Sequence, residues 1–295
     1  MSKFTLTCCS TADRPKSFFD GRGIPYACFH WNEGGHDHLD DLYQSISPDE
    51  FYAEIKAGAM PTTSQVSAGE YVEFWEPFVA AGSDVLHVSL SSGLSGSYNS
   101  AVMAAEQVMA NHPGRRVLVV DSLGASSGYG MLVEYLADLR DEGASLDEAN
   151  EWAMAHRLNV HHWFFSTDLS SYVRGGRVSR VSGFVGTALR ICPVLKMNDE
   201  GKLIPRDKIR TKRKAELDML ERMKQHAEGG LSYSGKCSIS MSACREDAAA
   251  VRDLVEDAFP ALAGKVTIND IGTVIGSHTG PGTVALFFMG DTRGR

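Results

Sequence analysis

Short apolar runs alternate with amphipathic stretches along the first half of the chain. Val85-Leu86-His87-Val88-Ser89-Leu90 and Val117-Leu118-Val119-Val120 have the length and composition of buried strands. Each is followed by a loop of small residues and then a helical pattern. Strand, loop and helix in repetition predict a parallel α/β sheet with right-handed crossovers. The pattern places this first domain at residues 1–158.

Several helices declare their starts. Ser47-Pro48-Asp49-Glu50 supplies a Ser N-cap, Pro at the first helical position and Glu at the capping-box position, and Gly58 stops the helix. Ser67-Ala68-Gly69-Glu70 repeats the box, with Pro77 expected to end or kink the second helix. Ser145-Leu146-Asp147-Glu148 opens a third helix running to about Arg157.

The texture then changes. Trp163-Phe164-Phe165-Ser166 reads as a strand and Arg174-Gly175-Gly176-Arg177 as a tight loop. Asn198-Asp199-Glu200-Gly201 signals a turn between two short strands. Thr211 to Glu228 and Asp247 to Phe259 are helical in pattern, and Cys237 to Met241 is a strand. Apolar runs from Val266 to Ile275 and Val284 to Met289 flank Gly276-Ser277-His278-Thr279-Gly280-Pro281-Gly282, which reads as a loop. A second α/β domain with a mixed sheet, residues 159–295, fits this order.

Composition narrows the function. The chain has 295 residues, 43% hydrophobic and 22% charged, enough to bury sizeable cores. A net charge of −8 argues against nucleic acid as the main partner. The six cysteines form no CxxC and no regular spacing, as in reduced cytosolic proteins. Neither a signal peptide nor an apolar run of membrane-spanning length is visible, so a soluble cytoplasmic protein is expected.

The most informative unit is Ser91-Ser92-Gly93-Leu94-Ser95-Gly96-Ser97-Tyr98, between a strand and a helix. Ligands of open α/β sheets sit at such positions, where free backbone N–H groups and the helix dipole favour an anion. Gly93 and Gly96 allow close approach, and the serines can donate hydrogen bonds. Met60-Pro61-Thr62-Thr63-Ser64-Gln65 adds hydroxyls, and His278 offers a group that could be charged near neutral pH and pair with an anion. The Arg174 and Arg177 pair, and the basic stretch Lys202 to Lys214 with Arg210 at its centre, stand out in an acidic chain. A solvated face is the plain reading; a phosphate site or a partner surface is the sharper one.

Two further patterns carry less. Gly124-Ala125-Ser126-Ser127-Gly128 matches G-x-S-x-G, which leaves a serine hydrolase as the alternative function. Its Ser does not directly follow the strand, as a nucleophile elbow requires, because Asp121-Ser122-Leu123-Gly124 intervenes. His36-Asp37-His38-Leu39-Asp40-Asp41 has metallohydrolase-like spacing but no strand leading in and no completing motif. His161-His162 beside Trp163 reads as structural. No metal is expected.

Taken in order, the blocks Pro61-Thr62-Thr63-Ser64-Gln65, Ser91 to Tyr98, Val120-Asp121-Ser122, Arg174 to Ser179, Arg210-Thr211-Lys212-Arg213-Lys214-Ala215 and His278 to Gly282 resemble the DegV family. These are bacterial fatty-acid-binding proteins that include the acyl-carrying subunits of fatty-acid kinase. The resemblance implies a Rossmann-like N-terminal domain burying the acyl chain and a C-terminal domain closing the head-group site. Thr63 and Ser95 would be the carboxylate donors, among Thr62, Ser64 and Gly96, with His278 and Thr279 close by. Arg174, Arg177 and Arg210 would lie at the mouth. The fatty acid would be the ligand, with no cofactor. A partner kinase in phospholipid metabolism would make the acyl-phosphate, so the chain itself would not be the catalyst. Cys9-Ser10-Thr11 departs from the family's Asp-Ser pair, Val66 from its Pro, and residues 14–46 match no family block.

Overall fold

The computed structural model describes residues 4–179 and 191–294. The N-terminal residues 1–3, residues 180–190 inside the expected second domain, and residue 295 lie outside the described residues.

Strands β1 (Phe4–Cys9), β2 (Tyr26–Ala27), β6 (Asp84–Ser89) and β7 (Val117–Asp121) form a parallel sheet in the order β2-β1-β6-β7. The apolar runs seen in the sequence are the strands β6 and β7, largely buried. A short helix, α1 (Lys16–Arg22), lies between β1 and β2 in the chain. Helices α3 (Ala68–Ala80), α4 (Ser97–Asn111), α5 (Ser126–Asp141) and α6 (Leu146–His156) cover the sheet. A small antiparallel sheet, β4-β3-β5, stands beside it, made of β3 (His30–Glu33), β4 (His36–Leu39) and β5 (Thr62–Ser64).

The capping boxes form as their spacing requires. Ser47, Ser67 and Ser145 each accept from the N–H of a Glu three residues on, whose carboxylate accepts from the cap N–H in return. The first of these opens α2 (Pro48–Lys56). Pro77 does not end α3, which runs three residues further. A proline removes one donor, yet Ala81 N–H still reaches the Pro77 carbonyl at 3.2 Å. Burial of Tyr71, Trp75 and Val79 along one face holds the last turn in place.

The second sheet has six strands in the order β10-β9-β8-β13-β11-β12 and is mixed, with only β11 and β12 parallel. They are β8 (Val160–Ser166), β9 (Ile191–Met197), β10 (Leu203–Arg210), β11 (Cys237–Met241), β12 (Thr267–Asp270) and β13 (Thr283–Met289). Asn198 to Gly201 turns β9 into β10. Helices α8 (Lys212–His226) and α9 (Arg245–Ala258) match their sequence patterns. Helix α5 faces both sheets: Tyr129 bonds Cys9 of β1, while Ser127 accepts from Ser240 of β11.

One element differs from expectation. Thr273–Thr279 is a short helix, α10, so His278 and Thr279 sit at a helix end and only Gly280-Pro281-Gly282 remains as a turn. The helix presents no amphipathic period because it is buried on nearly every side. A further helix, α7 (Ser170–Arg174), leads into Gly175-Gly176.

Candidate functional site

A cavity of about 280 Å³ lies between the carboxyl end of the parallel sheet and one face of the six-stranded sheet. Alternation along β8 puts His162 and Phe164 on this face. Phe164, Met197, Leu203, Ala285 and Phe287 supply one apolar wall, and Phe29, Leu90, Leu94, Ile271 and Val274 the other. This apolar chamber lies between the sheets and is lined from both residues 1–158 and 159–295. The interior of the first region is already filled by side chains such as Tyr71, Trp75 and Phe19, which are fully buried.

One end of the cavity is polar. Thr63 and Ser64 reach it from β5, Ser95 and Gly96 from the start of α4, His278 and Thr279 from α10, and Arg177 from the turn after α7. Thr63 Oγ1 lies 2.7 Å from His278 Nε2. Arg177 Nη1 donates to His278 Nδ1 at 3.2 Å and to the Gly175 carbonyl at 2.6 Å, while its Nε and Nη2 donate to the Leu94 carbonyl at 3.3 and 3.2 Å. A guanidinium can only donate, so Nδ1 must accept. The neutral ring then carries its proton on Nε2 and donates it to Thr63 Oγ1. The Thr63 hydroxyl proton is left for another acceptor.

His278 is not the cation the sequence pointed to. Burial, then the charges of Arg177 and Arg174, push its pKa down to about 4. It orients Thr63 instead of pairing with an anion, and Arg177 is the charge at the cavity wall.

Ser95 has two duties. Its Oγ accepts from Ser97 N–H at 3.2 Å, filling one orphan donor at the start of α4, and its own proton remains free to donate. The neighbouring glycine Gly93 serves the protein's own packing. A Cβ there would lie 2.5 Å from the Glu200 carbonyl, and Ser91 Oγ donates to the Gly201 carbonyl at 2.8 Å. The β9–β10 turn is thus clasped to the serine loop.

Three expected residues lie outside the lining. Thr62 is exposed and alternates to the other face of β5 from Thr63. Arg174 donates to Ser171 Oγ at 3.2 Å; it influences His278 by its field only. Arg210 is exposed at the end of the edge strand β10, opposite Ile191.

Ser126 does border the cavity and has φ +55 at the first turn of α5, a feature shared with a nucleophile elbow. Its partners are not those of a nucleophile, however. Its hydroxyl donates to Asp13, with Ser240 Oγ at 2.9 Å. His162, the imidazole nearby, is committed at both nitrogens, to Ala125 N–H at 3.2 Å and the Val160 carbonyl at 2.9 Å. Asp13 also accepts from Gly272 N–H at 3.0 Å, and burial pushes its pKa well up. No sequence signal points to this cluster, because Asp13, Ser126, Ser240 and Gly272 come from four distant segments.

The His36 segment forms β4, entered through the β3 hairpin at Gly34-Gly35, so a strand does lead in. His38 stacks on Trp31 at 4.3 Å. Among the described residues, the group able to hold a metal is His161, His226 and Asp291. Among them too, no helix is long and apolar enough to cross a membrane.

A family model described as an uncharacterised protein of the DegV family matches residues 3–291. A DegV domain-containing protein of Clostridium perfringens is 34% identical over 295 residues, covering 99% of each chain. A DegV protein of Thermus thermophilus, whose structure was reported for fatty-acid binding, superposes with a TM-score of 0.85 at 30% identity, covering 98% of this chain and 100% of that one. A DegV lipid-binding protein of Thermotoga maritima gives 0.81 at 27% identity, covering 99% of both.

Proposed function

The chain belongs to the DegV family, and from that premise we propose that it binds a long-chain fatty acid in the cavity between its sheets. One observation carries the reading: the Arg177–His278–Thr63 chain at the polar end of a largely apolar chamber. It leaves the Thr63 hydroxyl as a donor beside Ser95 and a half-buried guanidinium. Two hydroxyl donors and a nearby positive charge suit a carboxylate. Each buried methylene of the tail contributes roughly 0.8 kcal/mol, so a long chain gives on the order of 10 kcal/mol before ordering costs. The tail supplies affinity and the head group distinguishes an acid from an ester.

In this reading residues 1–158 and 159–295 are two domains that close on the ligand. The head group is held by Thr63 and Ser95, with Ser64, Gly96, His278 and Thr279 around it. The protein is a cytoplasmic bacterial carrier that needs no cofactor and performs no catalysis. It presents the acid to a fatty-acid kinase that forms the acyl-phosphate for phospholipid metabolism. Arg174 and the exposed Arg210 are read as docking charges for that partner, and Ser126 as a packing group.

Denaturing extraction of the purified protein followed by mass spectrometry tests the core of this. A long-chain fatty acid near one per chain is expected. Protein that arrives empty and takes up no labelled fatty acid would refute it.

A further inference from the structure

On the face of β8 away from the cavity, three side chains from separate segments converge. His161 is the second residue of β8, His226 the last of α8, and Asp291 follows β13. His161 Nε2 lies 3.0 Å from Asp291 Oδ1, and His226 Nδ1 lies 3.1 Å from the same oxygen. All three ligand atoms fall within 4.8 Å of one another. The imidazoles stack with centroids 5.0 Å apart. Backbone bonds hold the frame: Asp291 N–H donates to the His226 carbonyl at 3.0 Å and Gly290 N–H to the Asn159 carbonyl at 2.9 Å. His161 is buried, His226 half-buried and Asp291 exposed, so the group opens to water on one side.

Two imidazoles and a carboxylate form a donor set suited to zinc and its neighbours. With metal–ligand bonds of about 2.0–2.1 Å, the edge of a tetrahedral site is about 3.3 Å. Two of the three edges, 3.0 and 3.1 Å, are close to this value, and the third, between the two nitrogens, is within 4.8 Å. We propose that His161 Nε2, His226 Nδ1 and Asp291 Oδ1 bind a divalent transition ion of the zinc class, with water completing its coordination. The ion would pin the end of α8 to β8 and to the segment after β13, independently of the cavity.

Two neighbours moderate its affinity. Lys196, whose Nζ bonds the Arg293 carbonyl at 2.8 Å, adds positive charge nearby. Trp163 Nε1 donates to His161 Nδ1 at 3.4 Å, which places the ring proton of the metal-free state on Nε2. An ion on Nε2 moves that proton to Nδ1, against the indole N–H. The contact being displaced is long and weak. Trp163→Phe is accordingly expected to bind at least as tightly as the native chain.

The test is a titration of the chelator-stripped full chain with Zn²⁺ alone, in competition with a chromophoric chelator, beside a Mg²⁺ control. One Zn²⁺ per chain and a raised melting temperature are expected, with no response to Mg²⁺. His226→Ala and Asp291→Asn, at solvent-accessible positions, should each lower the affinity at least about tenfold. Should either variant unfold, Co²⁺ bound to the native chain gives a second measurement: strong visible absorption of a four- or five-coordinate site is expected. Failure to take up Zn²⁺, a weak six-coordinate Co²⁺ spectrum, or Zn²⁺ binding that persists in the double variant and vanishes with His36→Ala and His38→Ala would each overturn the proposal.

Discussion

Gly175 makes room for the ring of His278: a Cβ on Gly175 would lie 2.2 Å from Nδ1. The backbone at Gly175 is ordinary right-handed helix, φ −73, so alanine there is excluded by the imidazole and not by torsion. Gly175→Ala must push His278 away from Arg177 and Thr63. Fatty-acid affinity should fall about tenfold or more, with about 1–3 kcal/mol of stability lost to overpacking. Isothermal titration and urea unfolding read the two effects separately. Unchanged affinity would mean that the His278 ring position is irrelevant to the head group.

Thr63 and Ser95 should behave differently when truncated, although both are proposed carboxylate donors. Thr63→Val removes a donor and is expected to weaken binding by about 1.5–3 kcal/mol; it also removes the acceptor of the His278 Nε2–H, which should cost about 1–3 kcal/mol of stability. Ser95→Ala also removes the group that accepts from Ser97 N–H, adding a helix-cap loss of about 0.5–2 kcal/mol. Binding of a fatty-acid methyl ester, weak from the start, should be little affected by either change. Equal losses for acid and ester would reject the carboxylate assignment.

The features legible in the sequence were those set by neighbours along the chain. The capping boxes at Ser47, Ser67 and Ser145, the strands at Val85 and Val117 and the turn at Asn198 all depend on residues within four positions. The proposal of Thr63, Ser95 and His278 as site residues rests on the ordered blocks; the local pattern marked only the Ser91–Tyr98 loop as an anion site. What stayed hidden was set by long-range packing. Helix α10 lacks a polar face to mark it, and the cavity walls come from strands whose facing sheet no periodicity names. The charge state of His278 depends first on its burial and then on Arg177, 101 positions earlier.

Arg177 and Arg210 should separate cleanly by experiment. Arg177 ties the Leu94 carbonyl, the Gly175 carbonyl and His278 together within the cavity wall. Arg177→Met leaves those carbonyls without their donor and should both lower fatty-acid affinity and destabilise the chain by about 1–3 kcal/mol. Arg210 is exposed and outside the lining, so Arg210→Glu should leave affinity and melting temperature unchanged. A drop in affinity for Arg210→Glu comparable to that of Arg177→Met would place Arg210 at the head group after all.

Acid should weaken the ligand-free protein through its buried imidazoles. His278 and His161 are pushed down to about 4 and His87 to about 3, in each case chiefly by burial. The unfolded chain holds these groups near 6.5, so between roughly pH 6.5 and 4 it binds more protons than the native state. Stability is therefore full above the unfolded value and declines as the pH falls through this window. Each group contributes on the order of 1–2 kcal/mol of that loss by about pH 5. His278→Asn removes one contributor along with the Thr63 and Arg177 contacts. The variant should be less stable than the native chain at neutral pH, and the difference should shrink at about pH 5, where the native chain has lost what His278 costs it. Urea midpoints for both chains at the two pH values measure this, and a difference that stays constant or grows with acid would show that His278 is already protonated in the folded state.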